Sequence, residues 1–324
     1  PFYVTVIITI ALIWLYTYRG GIRTIIWTDT LQTTFMLGTV FAIIYTVTSK
    51  MNLDFISTIN LIKESEYSKI FFFEDWRDSK YFFKQFLSGV FMAIVMTGLD
   101  QDQMQKNLSC RNLKDAQKNM MVFSSILIFV DLLFLSLGAL LYIYSNKFGV
   151  IIPSDADMLF PNIAINSGLP SYVGILFIIG IIAAAYSSAD SALTSLTTSF
   201  CVDILEFEKQ EPEQQIKTRK YSHMLLSFVL LGVILLFRVI NDQSVIKSLF
   251  TVAGYTYGPL LGMFSFGLFT KWSIKDKLVP IIAIISPIIC YIIKQYIPFG
   301  FELLIINGII TFIGLYIIRV KITN

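Results

Sequence analysis

Long apolar runs constrain this chain more than any other feature. ILIFVDLLFLSLGALLYIY (126–144), LPSYVGILFIIGIIAAA (169–185) and VPIIAIISPIICYII (279–293) each approach the roughly 20 residues that cross the hydrocarbon core of a bilayer. Comparable runs recur about every 30 to 40 residues, which reads as a series of membrane helices. Composition agrees. Of 324 residues, 55% are hydrophobic and only 15% charged, too little polar surface to keep a domain of this size in water. The chain is an all-α, polytopic membrane helix bundle.

Nine spans are expected, at 1–18, 24–49, 82–99, 119–145, 171–204, 221–240, 245–269, 278–296 and 300–319. The fifth is too long for one perpendicular crossing, so its last turns should tilt or enter water. The connection over 50–81 is the longest polar segment. Its mixture of charges and aromatics suggests an interfacial loop with a short amphipathic helix. Alternate short connections and the C-terminal tail carry the basic residues Arg19, Arg23, Lys106, Arg111, Lys209, Lys217, Lys271, Lys275, Arg319 and Lys321. The positive-inside rule places these in the cytosol and the 50–81 loop outside or in the periplasm. The expected location is the plasma or inner membrane, with a cytoplasmic C-terminus.

Several function classes are unsupported. A net charge of +3 gives no nucleic-acid surface. Cys110, Cys201 and Cys290 have no paired spacing, and one histidine, His223, cannot build a metal site. No enzyme is expected, and no cofactor. The chain opens at Pro1 already in an apolar run, without initiator Met or signal peptide, so a longer natural protein is expected.

The polarity inside AAAYSSADSALTSLTTSFCVDI (183–204) then needs a reason. Helical spacing from Ser187 puts Ser191, Thr194 and Thr198 on one face, with Asp190 beside it. Packing of small hydroxyl residues explains many such clusters. It does not explain Asp190, because an ionised carboxylate at mid-bilayer costs roughly 2.5 to 3.5 kcal/mol and usually faces a cavity, a cation or a proton path. Hard cations take oxygen ligands, so a monovalent cation site is the sharper reading. Asp29, one and a half turns into its span, either exploits a helix N-terminus or faces the 187–191 cluster. Asp131 is a further mid-span acid, open to pairing, protonation or service as an ion or proton step. In FTVAGYTYGPLLG (250–262), Gly254, Gly258 and Pro259 mark a span that can unwind to line a cavity.

GGIRTIIWTDTLQ, GLDQDQMQKNL with LKDAQKNM, and AAYSSADS followed by CVDI occur in the order seen in the sodium:solute symporters, and the whole chain resembles that family. The resemblance implies two inverted five-helix repeats (an APC/LeuT-like core) in one transporter domain over 1–324, here lacking the first core helices. It implies sodium as coupling ion and a small organic solute, moved by alternating access across the lipid bilayer. The helix-8 half of the main sodium site would be Ala184, Ser187 and Ser188. A second cation site, as in the sialic acid carriers, would use Asp29 and Ser191, with Asp190 where the family places a serine. The aromatic gate and lysine of the galactose carriers have no counterparts at Met96-Thr97-Gly98 and Leu127. A solute sensor of the same fold, or an inactive truncated remnant, is the alternative.

Overall fold

The structure, a computed structural model, describes residues 2–17, 22–240, 244–297 and 299–320, without the side chains of 16, 17 and 22–25. Arg19 and Lys321, counted above toward orientation, lie outside these residues, as does the side chain of Arg23. All nine apolar segments are helical. They correspond to α1 (Phe2–Thr17), α2 (Ile22–Lys50), α4 (Phe82–Gly98), α6 (Leu113–Phe148), α8 (Ser171–Ser199), α9 (Pro212–Ile240), α10 (Val245–Phe269), α11 (Val279–Tyr296) and α12 (Leu303–Ile317). Three shorter helices lie between them: α3 (Phe55–Glu64), α5 (Gln101–Leu108) and α7 (Leu159–Asn166).

Among the described residues, five helices are long and apolar enough to cross a membrane alone, and a sixth crossing results if α4 and α5, broken at Leu99–Asp100, form one span. The apolar stretches Phe2–Leu15 and Leu303–Ile317 are shorter. The expected nine crossings are therefore nine helices of unequal membrane character. In α10 the polar and small residues around Gly254–Gly258 dilute an otherwise sufficient length. Helix α8 continues as a π-helical turn through Phe200–Ile204, giving 34 helical residues. At 1.5 Å per residue this is about 50 Å, well beyond a hydrocarbon core of about 30 Å, as its sequence length implied.

The chain divides into two compact units. One comprises 1–68 and 104–242, the other 69–103 and 243–324. In the first, Val40, Ile43 and Val47 of α2 pack with Leu137, Leu141 and Tyr144 of α6, Ile163 of α7, and Val173 and Phe177 of α8. Helix α9 lies against α8 and α1. The polar loop expected over 50–81 does contain a short helix, α3, which rests on α6 and inserts Leu61 beside that core. Asp54 caps α3 by accepting the Ser57 amide at 2.8 Å, and the Ser57 hydroxyl first and this amide second hold its carboxyl below the ordinary value of 3.8. A carboxylate with a lowered folded pKa stabilises the helix above that ordinary value, and the contribution is lost as pH falls through the lowered one. Acidification below about pH 3.8 should therefore open Phe55–Leu61 to pepsin. In Asp54→Asn, which keeps the acceptor without the charge, cutting at this segment relative to the rest of the chain should not change as pH falls.

The second unit is built on α10 against α12, with α11 and α4 beside them. Its small core joins Met92 and Val95 of α4 to Ala253 of α10 and Leu304 of α12. A two-residue antiparallel pairing, β1 (Ser273–Ile274) with β2 (Arg319–Val320), closes one end. Proline governs the middle. Pro259 has no N–H, so the carbonyl four residues earlier, that of Tyr255, loses its helical partner. Asn307, fully buried on α12, donates its amide Nδ2 to that oxygen at 3.0 Å and to the Gly254 carbonyl at 3.1 Å. Ser286 of α11 hydrogen-bonds Asn307 Oδ1, and Thr311 Oγ1 lies 2.7 Å from Ser286 Oγ. Three helices are thus tied by one satisfied polar knot.

Candidate functional site

The pairing of α2 with α8 decides which polar residues meet. Thr46 shares a 2.9 Å hydrogen bond with Tyr172, and Thr39 donates to the Leu176 carbonyl at 3.2 Å. Gly180 lets the helices close at that level, since a Cβ there would stand 3.1 Å from Thr39 Cγ2. Numbers fall along α8 as they rise along α2, so the helices run antiparallel. Continuing the register by about 17 residues, or about 25 Å from Thr46, brings Asp29 level with Ser187 and Ser191. The α2–α8 contact therefore spans most of a membrane thickness, with the carboxylate near one end.

There Ser187 donates its hydroxyl to Asp29 Oδ1 at 2.7 Å, and Ser191 donates to Oδ2 at 3.3 Å. A third partner was not anticipated. The Lys106 ammonium lies 2.9 Å from Asp29 Oδ2 and 3.2 Å from Ser191 Oγ. The side chains of both charged residues are about one-fifth exposed, at 22% for Lys106 and 19% for Asp29. Hydropathy treats 100–118 as a polar connection and so reads Lys106 as a loop cation. In fact 101–108 is helical. Asp100 Oδ1 accepts the amides of Asp102 at 3.0 Å and Gln103 at 3.2 Å, an N-cap followed three residues on by glutamine. That Asp-x-x-Gln pattern was the available signal. Gln105 then donates to the Ser195 carbonyl at 3.2 Å, holding α5 against α8 beside the lysine.

The other expected site residues separate. Ala184 is half-buried and Ser188 is exposed on α8, so Ser187 faces Asp29 while its neighbour faces away from it. Two adjacent helical residues point about 100° apart, which makes this division unavoidable. Asp190 is fully buried, one residue before Ser191. Asp131 is not brought to this cluster. It is exposed on α6 among Phe129, Leu132 and Leu135, on a face the helix presents outward. Of the hydroxyl stripe, Thr194 is half-buried and Thr198 exposed, donating to the Thr194 carbonyl within its own helix. Buried Thr197 lies 3.1 Å from His223 Nδ1 and ties α8 to α9, giving the single histidine a packing partner.

The sequence profile of the sodium:solute symporter family matches residues 1–275. The chain belongs to the sodium:solute symporter family. It is 25% identical over 303 residues to the sodium/sialic acid symporter SiaT of Proteus mirabilis, covering 90% of this chain and 60% of that protein. It is 27% identical over 268 residues to the sodium/sialic acid symporter NanT of Aliivibrio fischeri, covering 79% and 52%. Human sodium/iodide cotransporter is 24% identical over 266 residues, covering 78% and 40%. The chain thus spans between about two-fifths and three-fifths of the length of these relatives. A solved Na+-coupled sialic acid symporter, in a substrate-bound outward-open state, superposes with a TM-score of 0.79 at 22% identity, over 97% of this chain and 66% of that one. At that identity the likeness carries the fold, the LeuT-like helix bundle expected from the motifs.

Proposed function

We propose that residues 1–324 belong to the transporter domain of a sodium-coupled symporter that imports a small organic solute across the plasma or inner membrane by alternating access. The observation that carries this reading is the convergence of the Asp29 carboxylate with the Ser187 and Ser191 hydroxyls between two helices of membrane length. Oxygen donors beside a charged group in that setting suit a monovalent cation. Ala184, Ser187 and Ser188 form the α8 half of the main sodium site in this reading. Asp29 and Ser191, with Asp190, form the wall of a second cation position. The basic short connections favour a cytoplasmic C-terminus, with 50–81 on the outer side. Sodium entry then supplies about 2.3 kcal/mol per charge for each 100 mV of potential, provided that ion and solute favour the same conformation.

Two of the bacterial relatives are named for sialic acid, which makes an acidic sugar the first solute to test. The test is uptake of labelled sialic acid by the whole protein in proteoliposomes under an inward sodium gradient. Uptake that persists when sodium is replaced by choline would refute sodium coupling. Ser187→Ala and Ser188→Ala should each raise the sodium concentration for half-maximal uptake by roughly tenfold, the scale of one lost hydrogen-bond-strength contact. Sodium dependence unchanged in both variants would remove these serines from the site.

A further inference from the structure

We infer that the second unit carries, at its outer end, a docking site for a soluble organic anion, which receives the carboxylate of an acidic solute before transport. The inference rests on the symport reading above and deepens it by naming where such a solute first meets the protein. A cavity of about 420 Å3 opens between the start of α4, the start of α10, the end of α11 and the turn that leads into α12. Small-molecule sites occupy about 300–1,000 Å3. Helix α10 runs from this cavity toward the β1–β2 pairing, near which Lys271, Lys275 and Arg319 lie. The positive-inside rule assigns those basic residues to the cytosol, so the cavity faces the other side.

Its lining includes two lysines, Lys247 on α10 and Lys294 on α11, and among the described residues no acid. Glu302 follows Phe301 in the wall, but its carboxylate is matched by Lys84 at 3.8 Å. That pair cancels itself, which leaves two ammonium groups on one cavity with no ion-pair partner among the described residues. Interfacial lysines commonly extend away from the protein into water. Lys294 instead reaches over to α10, where its ammonium lies 5.5 Å from the centre of the Tyr255 ring. Acceptors stand beside the cations. Gln85 commits its Nε2 to the Ser79 carbonyl at 2.6 Å, and Thr251 its hydroxyl hydrogen to the Lys247 carbonyl at 2.8 Å. Gln85 Oε1 and the Thr251 oxygen are left to accept from a ligand. Phe250 and Phe301, edge to face at 5.1 Å, give an apolar wall, and Gly254 adds no side chain to the space. Cations for a carboxylate, acceptors for hydroxyls and an aromatic face together suit a sugar acid. A lipid phosphate would use the lysines and leave the acceptors idle. One sign of charge along a cleft also raises the local concentration of its counter-ion, so docking here needs no sodium.

The experiment reads the cavity without measuring uptake. Thr251→Cys and Gln85→Cys place a thiol on two of its walls, in the purified whole protein in phosphatidylcholine nanodiscs. Each is labelled with a sulfonate-bearing and with a trimethylammonium-bearing methanethiosulfonate, and rates are taken above those of the three native cysteines. Adding Lys247→Gln with Lys294→Gln should lower the anionic-to-cationic rate ratio by roughly tenfold or more, the scale of two unit charges acting at short range through water. Lys247→Arg with Lys294→Arg should keep the ratio. Sialic acid or glucuronate should slow labelling severalfold, equally with and without sodium, and glucose should not. A ratio unmoved by the glutamines in both cysteine variants would overturn the site. So would protection by neither acid, protection that requires sodium, or protection given by phosphatidylglycerol in the nanodisc but by neither acid. Each of these leaves sodium symport intact. Symport itself fails separately, in uptake that persists in choline, and that result would leave the anion site standing.

Discussion

Replacing Gly258 with leucine should abolish the folded second unit, and even Gly258→Ala should lower the melting temperature clearly. A Cβ on Gly258 would fall 2.5 Å from Asn307 Nδ2 and closer still to the Asn307 Cβ. Asn307 has nowhere to go. It is fully buried, and its amide is committed to the Gly254 and Tyr255 carbonyls on one side and Ser286 on the other. Overpacking in a tight core costs about 1–3 kcal/mol when flexible atoms can yield, and more when they cannot. Asn307→Leu attacks the same knot from the opposite side. It leaves the Tyr255 oxygen, which Pro259 deprived of its helical donor, without the side-chain amide, at about 1–3 kcal/mol for each buried polar group stranded. Pro259→Ala should soften that loss, since it returns an N–H four residues after Tyr255. The check is thermal unfolding of the whole protein followed by size-exclusion chromatography. A melting temperature unchanged in both Gly258→Ala and Asn307→Leu would mean that α10 and α12 are not held by this contact.

What hydropathy could see, it saw well. Each of the nine apolar runs is a helix, because an apolar segment of that length has no other way to satisfy its backbone in lipid. Its errors lie where helices leave the membrane. Helix α6 begins at Leu113 and α9 at Pro212, six and nine residues before the apolar runs suggested, because polar turns continue a helix into water without an apolar signature. Asn112 marks the first of these starts by accepting the Asp115 amide at 2.9 Å. Helix α5 was lost for the same reason, and Lys106 with it. The Asp29–Ser187–Ser191 meeting was legible in part: spacing put both serines on one face, and Asp29 was a candidate to face them. Which serine the carboxylate would choose depends on the antiparallel register of α2 and α8. That register is fixed by Thr39, Thr46 and Gly180, none of which stands out in one sequence. Asn307 stands as a lone amide in IINGII, and hydropathy alone gives it no role. Reading it together with Pro259 would have supplied the reason, a freed carbonyl in one span and a donor in another.

The second large effect concerns the ion pair, and it is larger in the single variants than in the double one. Asp29→Asn leaves the Lys106 ammonium facing a neutral amide inside a largely enclosed site; Lys106→Gln leaves the carboxylate with only hydroxyl donors. Breaking a fully buried pair by removing one partner costs about 3–5 kcal/mol, because the remaining charge stays desolvated. These side chains keep about one-fifth of their exposure, so roughly 1–3 kcal/mol is expected for each single variant. Replacing both charges removes the stranded one. Asp29→Asn with Lys106→Gln should therefore be more stable than either single variant, although the two changes are made in the same site. The coupling measured by the double-mutant cycle should be about 1–3 kcal/mol, well above the additivity expected of independent positions. Strict additivity would mean that the two charges are not paired in the folded protein.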